Sequence, residues 1–446
     1  MNLLDNKLFK SFLQSRWYPG IFIWPTVFVF AVVVYQLLFG PSSPHDNFGT
    51  AMTWVFWWPV IPLAFLLLGR FWCAVCPFGA ISDVVQKWVG NNRPVPRFLK
   101  NYGIWIIDAF FILITWGDHV FGIVNSPRGS GVLLLMIITG VVAAGAFFER
   151  RAWCRYLCFL GGLSGNYSRA GMLELRGTPE KCAKCRVQAC YKGGAHAAGC
   201  PMFEFPRHMD TSAECNLCGN CIKSCPHNAI KITPRVPSRE LWFIKKPRLA
   251  ESFLAVIIMG IVFVQNITML DIWQEAQNRL EQFLRTDSYF IVFTVTFLIA
   301  MLIPLLALYS TSWLAGRINR ESGARNFTRF GYALIPLDLA SHVAHNLFHL
   351  LAEGKAVVYT FYFLIGLPAG NSSPALVGSG AIQLLQFGLV GAGLLLSLYT
   401  VYRIAAANFP ERVKVGWSLV SFGGLLLLLA ALNVYLFTLP MSMRTG

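Results

Sequence analysis

The stretch RFWCAVCPFGA, residues 70–80, ends a long apolar run, and RAWCRYLCFLGG, residues 151–162, ends another. Laid together, Arg70-Phe71-Trp72-Cys73-x2-Cys76 corresponds to Arg151-Ala152-Trp153-Cys154-x3-Cys158, and Gly79 and Gly161 follow at matching places. Each pair follows two apolar segments. The chain therefore contains an internal repeat of span, span, R-x-W-C-x2/3-C. Two such hairpins can pack so that Cys73, Cys76, Cys154 and Cys158 converge on one iron–sulfur centre at the membrane boundary. Four thiolates also suit zinc, but a redox-silent ion would be out of place beside redox clusters. Separate disulfides, free redox thiols and simple packing are the other readings of these cysteines. Pro77 favours a sharp exit from the first copy, and Phe159 stands at its place in the second.

Working outward, the chain of 446 residues is 55% hydrophobic and 13% charged, about half the charged share of a soluble domain. Segments of ~20 apolar residues cross a bilayer. Nine are expected, at 18–40, 50–69, 102–124, 131–149, 250–270, 287–314, 329–352, 381–403 and 416–438, with 356–367 as a shorter re-entrant or interfacial piece. With the N-terminus in the cytoplasm, 32 of the 37 Lys and Arg fall on the inner side, as the positive-inside rule requires. The net charge of +16 thus reads as orientation and contact with anionic membrane lipid, not as nucleic-acid binding. The expected class is an all-α multi-span membrane protein with a cytoplasmic insert. Its parts are a cytoplasmic amphipathic lead (1–17), a four-span module with the duplicated pairs (18–177), the insert (178–249) and a five-span module (250–446). The segment 270–287 has helical periodicity and is expected along the outer surface.

All 12 cysteines lie between Cys73 and Cys225. In the insert, Cys215-x2-Cys218-x2-Cys221-x3-Cys225-Pro226 matches the bacterial run for a [4Fe–4S] cluster, in which the fourth cysteine serves the neighbouring cluster. The run Cys182-x2-Cys185-x4-Cys190-x9-Cys200-Pro201 keeps the terminal Cys-Pro with a longer loop. On that logic Cys182, Cys185, Cys190 and Cys225 hold one cluster, and Cys215, Cys218, Cys221 and Cys200 the other. His196, His208 and His227 read as solvated polar residues.

These motifs resemble the NapH/NosR/CcoG type of membrane polyferredoxin over about residues 18–235, on the 12 cysteines, Pro77, Pro201 and Pro226. The resemblance implies electron transfer through two [4Fe–4S] clusters and a third centre, in a bacterial or archaeal cytoplasmic membrane. The electrons would pass between the quinone pool or cytoplasmic donors and an extracytoplasmic redox partner, within a multi-subunit complex. The five C-terminal spans have no counterpart in the short members.

Within 329–352, Asp338, His342, His345 and His349 stand at i, i+4, i+7 and i+11, on one helical face. Ionisable groups in a membrane helix mark function by default. The stripe can bind b-type haem with His119 as partner ligand, bind quinol and take its protons, or hydrogen-bond to neighbouring spans. Asp108, inside the third span, is a candidate for the same cavity. The chain has no C-x-x-C-H for covalent haem, no G-x-G-x-x-G and no P-loop. It reads as an electron-transfer subunit, with quinol dehydrogenase activity as one possibility. The alternative is a redox-regulatory or metal-cofactor maturation protein that reduces a metal ion or thiol for a respiratory enzyme.

Overall fold

A computed structural model describes residues 2–368 and 373–439. Among them, eight helices are long and apolar enough to cross a membrane, and the chain is a multi-pass membrane protein. They are Gly20–Phe39, the interrupted run Phe48–Val89, Arg97–Phe121, Pro127–Phe147, Leu249–Ile267, Tyr289–Asn319, Ser379–Asn408 and Arg412–Thr438. The expected count was nine. The missing one, 329–352, forms the helix Ile335–Glu353, but its polar stripe lowers its hydropathy, and its first two-thirds is buried among other helices. The piece expected at 356–367 is the short apolar helix Lys355–Leu364, and Asp271–Leu284 is helical, as its periodicity predicts.

The chain divides into two compact units. The first comprises Met1–Gly40, Ile61–Ile107 and Ser130–Glu240, and the second Pro41–Val60, Asp108–Gly129 and Leu241–Gly446. All 12 cysteines belong to the first unit.

Contrary to the all-α expectation, the first unit holds a small sheet. Strand β1 (Leu173–Gly177) pairs antiparallel with β2 (Ile230–Pro234), Leu175 opposite Ile232. Leu175, Ile230 and Ile232 point into a core with Met209 and Ile222. The N-terminal lead completes that core with Leu4, Leu13 and Tyr18. Asn2 Oδ1 accepts from the Ile232 amide at 3.1 Å and Tyr18 Oη donates to the Leu217 carbonyl at 2.7 Å. In the lead helix Lys7–Gln14, Leu13 is buried in this core, whereas Leu8, Phe9 and Phe12 are exposed.

A salt-bridge node ties the base of the insert together. Glu240 accepts from Arg235 Nη1 at 2.5 Å, Arg176 Nη2 at 2.9 Å, Thr211 Oγ1 at 2.6 Å and the Ser212 amide at 2.8 Å. Burial alone would raise this carboxyl. The two guanidinium groups outweigh burial and hold it below the ordinary carboxylate range.

In the second unit, Ile335–Glu353 packs along Ser379–Asn408. The Leu337 amide donates to Ser397 Oγ at 3.0 Å and Gln386 Nε2 to the Ala344 carbonyl at 3.1 Å. Such inter-helix bonds are each worth about 0.6–2 kcal/mol in a membrane. Phe330 stacks on Phe422 at 4.1 Å within the same core.

Candidate functional site

The two repeat copies dock through a reciprocal exchange. Arg70 Nη2 of the first copy donates to the Cys154 carbonyl at 3.3 Å, and Arg151 Nη1 of the second donates to the Cys73 carbonyl at 3.1 Å. The glycines obey the same symmetry. A Cβ on Gly79 would overlap the Arg151 guanidinium, and a Cβ on Gly161 would lie 3.3 Å from Arg70 Nη2 and 2.5 Å from the Cys154 carbonyl. Both arginines are buried, at 3% and 5% exposure, so both need partners. Arg151 forks onto Asp83 at 2.9 and 2.6 Å. Arg70 donates to the Ala213 carbonyl and lies 3.5 Å from Glu214.

The local backbone explains the motif. Gly69 has φ +59° and Arg151 φ +55°, which break the chain direction before each Trp-Cys. Cys76 and Cys158 are extended N-caps of the helices Pro77–Val89 and Phe159–Ala170. Their sulfurs sit at the N-termini of these helices. A helix N-terminus favours a thiolate there. Phe159 occupies its position with the same geometry as Pro77, so the proline is dispensable. The Cys158 sulfur has Cys154, Cys76 and Cys73 as its electrostatic neighbours, and burial among them pushes its thiol well above the ordinary range. Cationic iron is the counter-charge that would draw four thiolates together here.

The insert cysteines line two further nests. Cys182, Cys185, Cys190 and Cys225 surround one small cavity, with Arg207, Pro226 and His227 at its rim. Cys200, Cys215, Cys218 and Cys221 surround the other. The Ala229 amide donates to the Cys225 sulfur at 3.2 Å. Burial pushes the Cys215 thiol up to about 12 and the Cys190 thiol up to about 11. The ring of Tyr18 covers the second nest, 2.8 Å from where a Cβ on Gly219 (φ +79°) would stand. All 12 cysteines are free thiols. Among the described residues, no three His, Cys, Asp or Glu converge tightly enough for a single ion. A tetrahedral zinc at ~2.3 Å from each sulfur needs such convergence. A four-iron cube carries its cysteines on separate corners and does not.

Comparison with known proteins agrees with these nests. The 4Fe-4S binding domain family matches residues 50–96 and again 130–174, once on each repeat copy, and a second 4Fe-4S binding domain family matches 212–231. The chain carries 4Fe-4S binding domains. It is similar to the electron transport protein YccM of Escherichia coli, at 26% identity over 44% of this chain and 60% of that protein. It is similar also to the ferredoxin-type protein NapH of Escherichia coli, at 23% identity over 40% of this chain and 66% of NapH. The regulatory protein NosR of Pseudomonas aeruginosa is 24% identical over 41% of this chain and 27% of NosR. The chain thus spans less than two thirds of each of these relatives. No solved structure matches.

The second unit contains a cavity of about 740 Å³. It receives only half of the His stripe. His345 and His349 line it, with Asn346 and Glu353, whereas Asp338 and His342 lie fully buried outside its lining. His119 lines it from Arg97–Phe121, and His45, Asp118, Gln265 and Thr268 add polar groups that isolated positions in the sequence did not announce. Trp54 and Trp58 supply apolar wall. Asp108 is buried and outside the lining, and neither its carboxyl oxygens nor those of Asp338 have a hydrogen-bond partner among the described residues.

Hydrogen bonds fix the tautomers of two histidines. Asn433 Nδ2 donates to the Leu429 carbonyl, so its Oδ1 accepts from Asn266 Nδ2 at 3.4 Å. Asn266 Oδ1 then accepts from His345 Nδ1 at 2.7 Å, which leaves Nε2 as the proton-accepting nitrogen of His345. His119 Nδ1 donates to the Thr115 carbonyl at 2.9 Å, and its Nε2 meets Thr268 Oγ1 at 3.2 Å. His119 stacks on Phe293 at 5.3 Å.

Proposed function

We propose that this chain transfers electrons in a membrane through three [4Fe–4S] clusters and exchanges them with a quinone held in the large cavity. Cys182, Cys185, Cys190 and Cys225 hold the first cluster, Cys200, Cys215, Cys218 and Cys221 the second, and Cys73, Cys76, Cys154 and Cys158 the third. The observation that carries this is the sorting of the 12 cysteines into three sets of four. The clusters supply one-electron redox chemistry. The protein's own contribution is to bury them, to donate hydrogen bonds to the sulfurs and to set charge beside them. Similarity to an electron transport protein and to a ferredoxin-type protein supports the same reading.

Quinone is favoured over haem in the cavity because both ring nitrogens of His119 are already engaged. Quinol releases two electrons and two protons. His345 Nε2 is the first proton acceptor, and the carboxylate of Glu353, 3.9 Å from His349 Nδ1, continues the path. The asymmetry of Lys and Arg supports a cytoplasmic insert and N-terminus, and a redox protein that meets the insert completes the circuit.

The test is anaerobic mixing of the purified full chain with quinol, and of the dithionite-reduced chain with quinone. The expected result is bleaching or recovery of cluster absorbance in one of the two, lost in His345→Ala. No absorbance change in either direction overturns the quinone reading.

A further inference from the structure

The two insert nests differ in what surrounds them. The Cys200/Cys215/Cys218/Cys221 nest is roofed by the N-terminal segment, through Leu13 and the Tyr18 ring. The Cys182/Cys185/Cys190/Cys225 nest has the exposed residues Arg207, Pro226 and His227 at its edge. Electrons entering or leaving through a soluble protein therefore reach the insert at the Cys182/Cys185/Cys190/Cys225 nest.

The surface around it is basic. The run 180–192 interleaves its three cysteines with Lys181, Lys184, Arg186 and Lys192 against one acid, Glu180, and all five of these charged side chains are exposed. Arg207, also exposed, lies close enough to act electrostatically on the Cys182 sulfur. Val187 at 61% exposure and Tyr191 at 37% give this face an apolar centre within the cationic rim. An apolar centre with a charged rim is the anatomy of a transient protein interface.

We propose that the face formed by Lys181, Lys184, Arg186, Lys192 and Arg207 docks an acidic, soluble electron-carrier protein over the Cys182/Cys185/Cys190/Cys225 nest. This rests on the cluster reading above. Opposite charge steers such a carrier to the one insert nest that is open, and speeds association more than it tightens it. The exchange is one electron at a time, with no bond made or broken in the carrier. A basic face can also meet anionic lipid. The apolar centre and the position beside an open nest favour the protein.

The experiment uses the full, cluster-loaded chain in phosphatidylcholine nanodiscs and a fluorescently labelled flavodoxin of strong negative charge as the probe. Binding should weaken at least about tenfold as salt rises through the physiological range. Lys184→Glu with Lys192→Glu should weaken it by a further factor of about ten or more, Lys184→Arg with Lys192→Arg should restore it, and Lys10→Glu should leave it unchanged. Should the double reversal fail to load its clusters, Arg207→Glu reads the same face. Flavodoxin binding that is indifferent to salt and to charge reversal overturns the proposal. So does a reversal that abolishes only binding to phosphatidylglycerol vesicles, which assigns the face to lipid. Iron content separates the two levels of claim: a chain that loads its iron but ignores flavodoxin loses only the docking face, and a chain without iron loses the cluster reading itself.

Discussion

Replacing Arg151 by Gln tests the docking of the two repeat copies. The substitution removes the charge-assisted bond to the Cys73 carbonyl, worth about 1.5–3 kcal/mol. It also removes the fork onto Asp83. That side chain is 43% exposed, so solvent screening limits the pair to about 1 kcal/mol. The sum is about 2.5–4 kcal/mol, which disfavours the assembled four-cysteine nest by roughly 60- to 800-fold. Arg70→Gln should cost about the same, because Arg70 makes the reciprocal bond to the Cys154 carbonyl. The assay is iron and acid-labile sulfide per chain, with electron paramagnetic resonance of the reduced protein. Each variant should lose about four irons and keep the signals of the insert clusters. Full iron content in both variants, with an unchanged spectrum, would refute the cross-brace.

Gly219→Ala combines a positive φ with a Cβ 2.8 Å from the Tyr18 ring. It should destabilise the Cys200/Cys215/Cys218/Cys221 nest by about 1–3 kcal/mol, seen as oxygen-sensitive loss of one cluster signal. Glu240 has a lowered folded-state pKa, so its contribution to stability is complete above the ordinary carboxylate range. It is lost as pH falls through the lowered value. Glu240→Gln should flatten that acid limb of the unfolding profile, and an unchanged limb would clear Glu240 of the role. Asp338→Asn preserves shape at a carboxyl without hydrogen-bond partners. It should leave thermal stability within about 1 kcal/mol of the parent, and a slowed quinol reaction would place Asp338 on the proton path.

Much of the first unit was legible because metal ligation imposes spacing on a sequence. The C-x2-C-x2-C-x3-C-P run and the duplicated R-x-W-C can be read without a fold. What Arg70 and Arg151 do could not be, since each answers to a carbonyl about 80 residues away. The partner of the lead was not legible for a related reason. Amphipathicity shows that Leu13 has an apolar neighbour, but not whether that neighbour is lipid or the β1–β2 sheet. Strands of five residues at the edges of the insert were too short for alternation to register.

In the second unit, helical periodicity placed Asp338, His342, His345 and His349 on one face. It could not show that the cavity meets only the C-terminal half of that face. Asn266 and Asn433, which fix His345, are single polar residues in apolar runs, and a lone position carries no period. The Ile335–Glu353 helix shows the same limit from the other side. Its polar residues, which mark it for function, also remove it from the set of helices apolar enough to cross by composition.

The most direct measurement is iron and labile sulfide per chain for the parent and for the Cys73→Ala/Cys154→Ala double variant, one cysteine from each repeat copy. Three clusters give about twelve irons in the parent and about eight in the variant, with the two insert signals intact. An equal iron count in the two proteins would contradict a shared centre between the repeats.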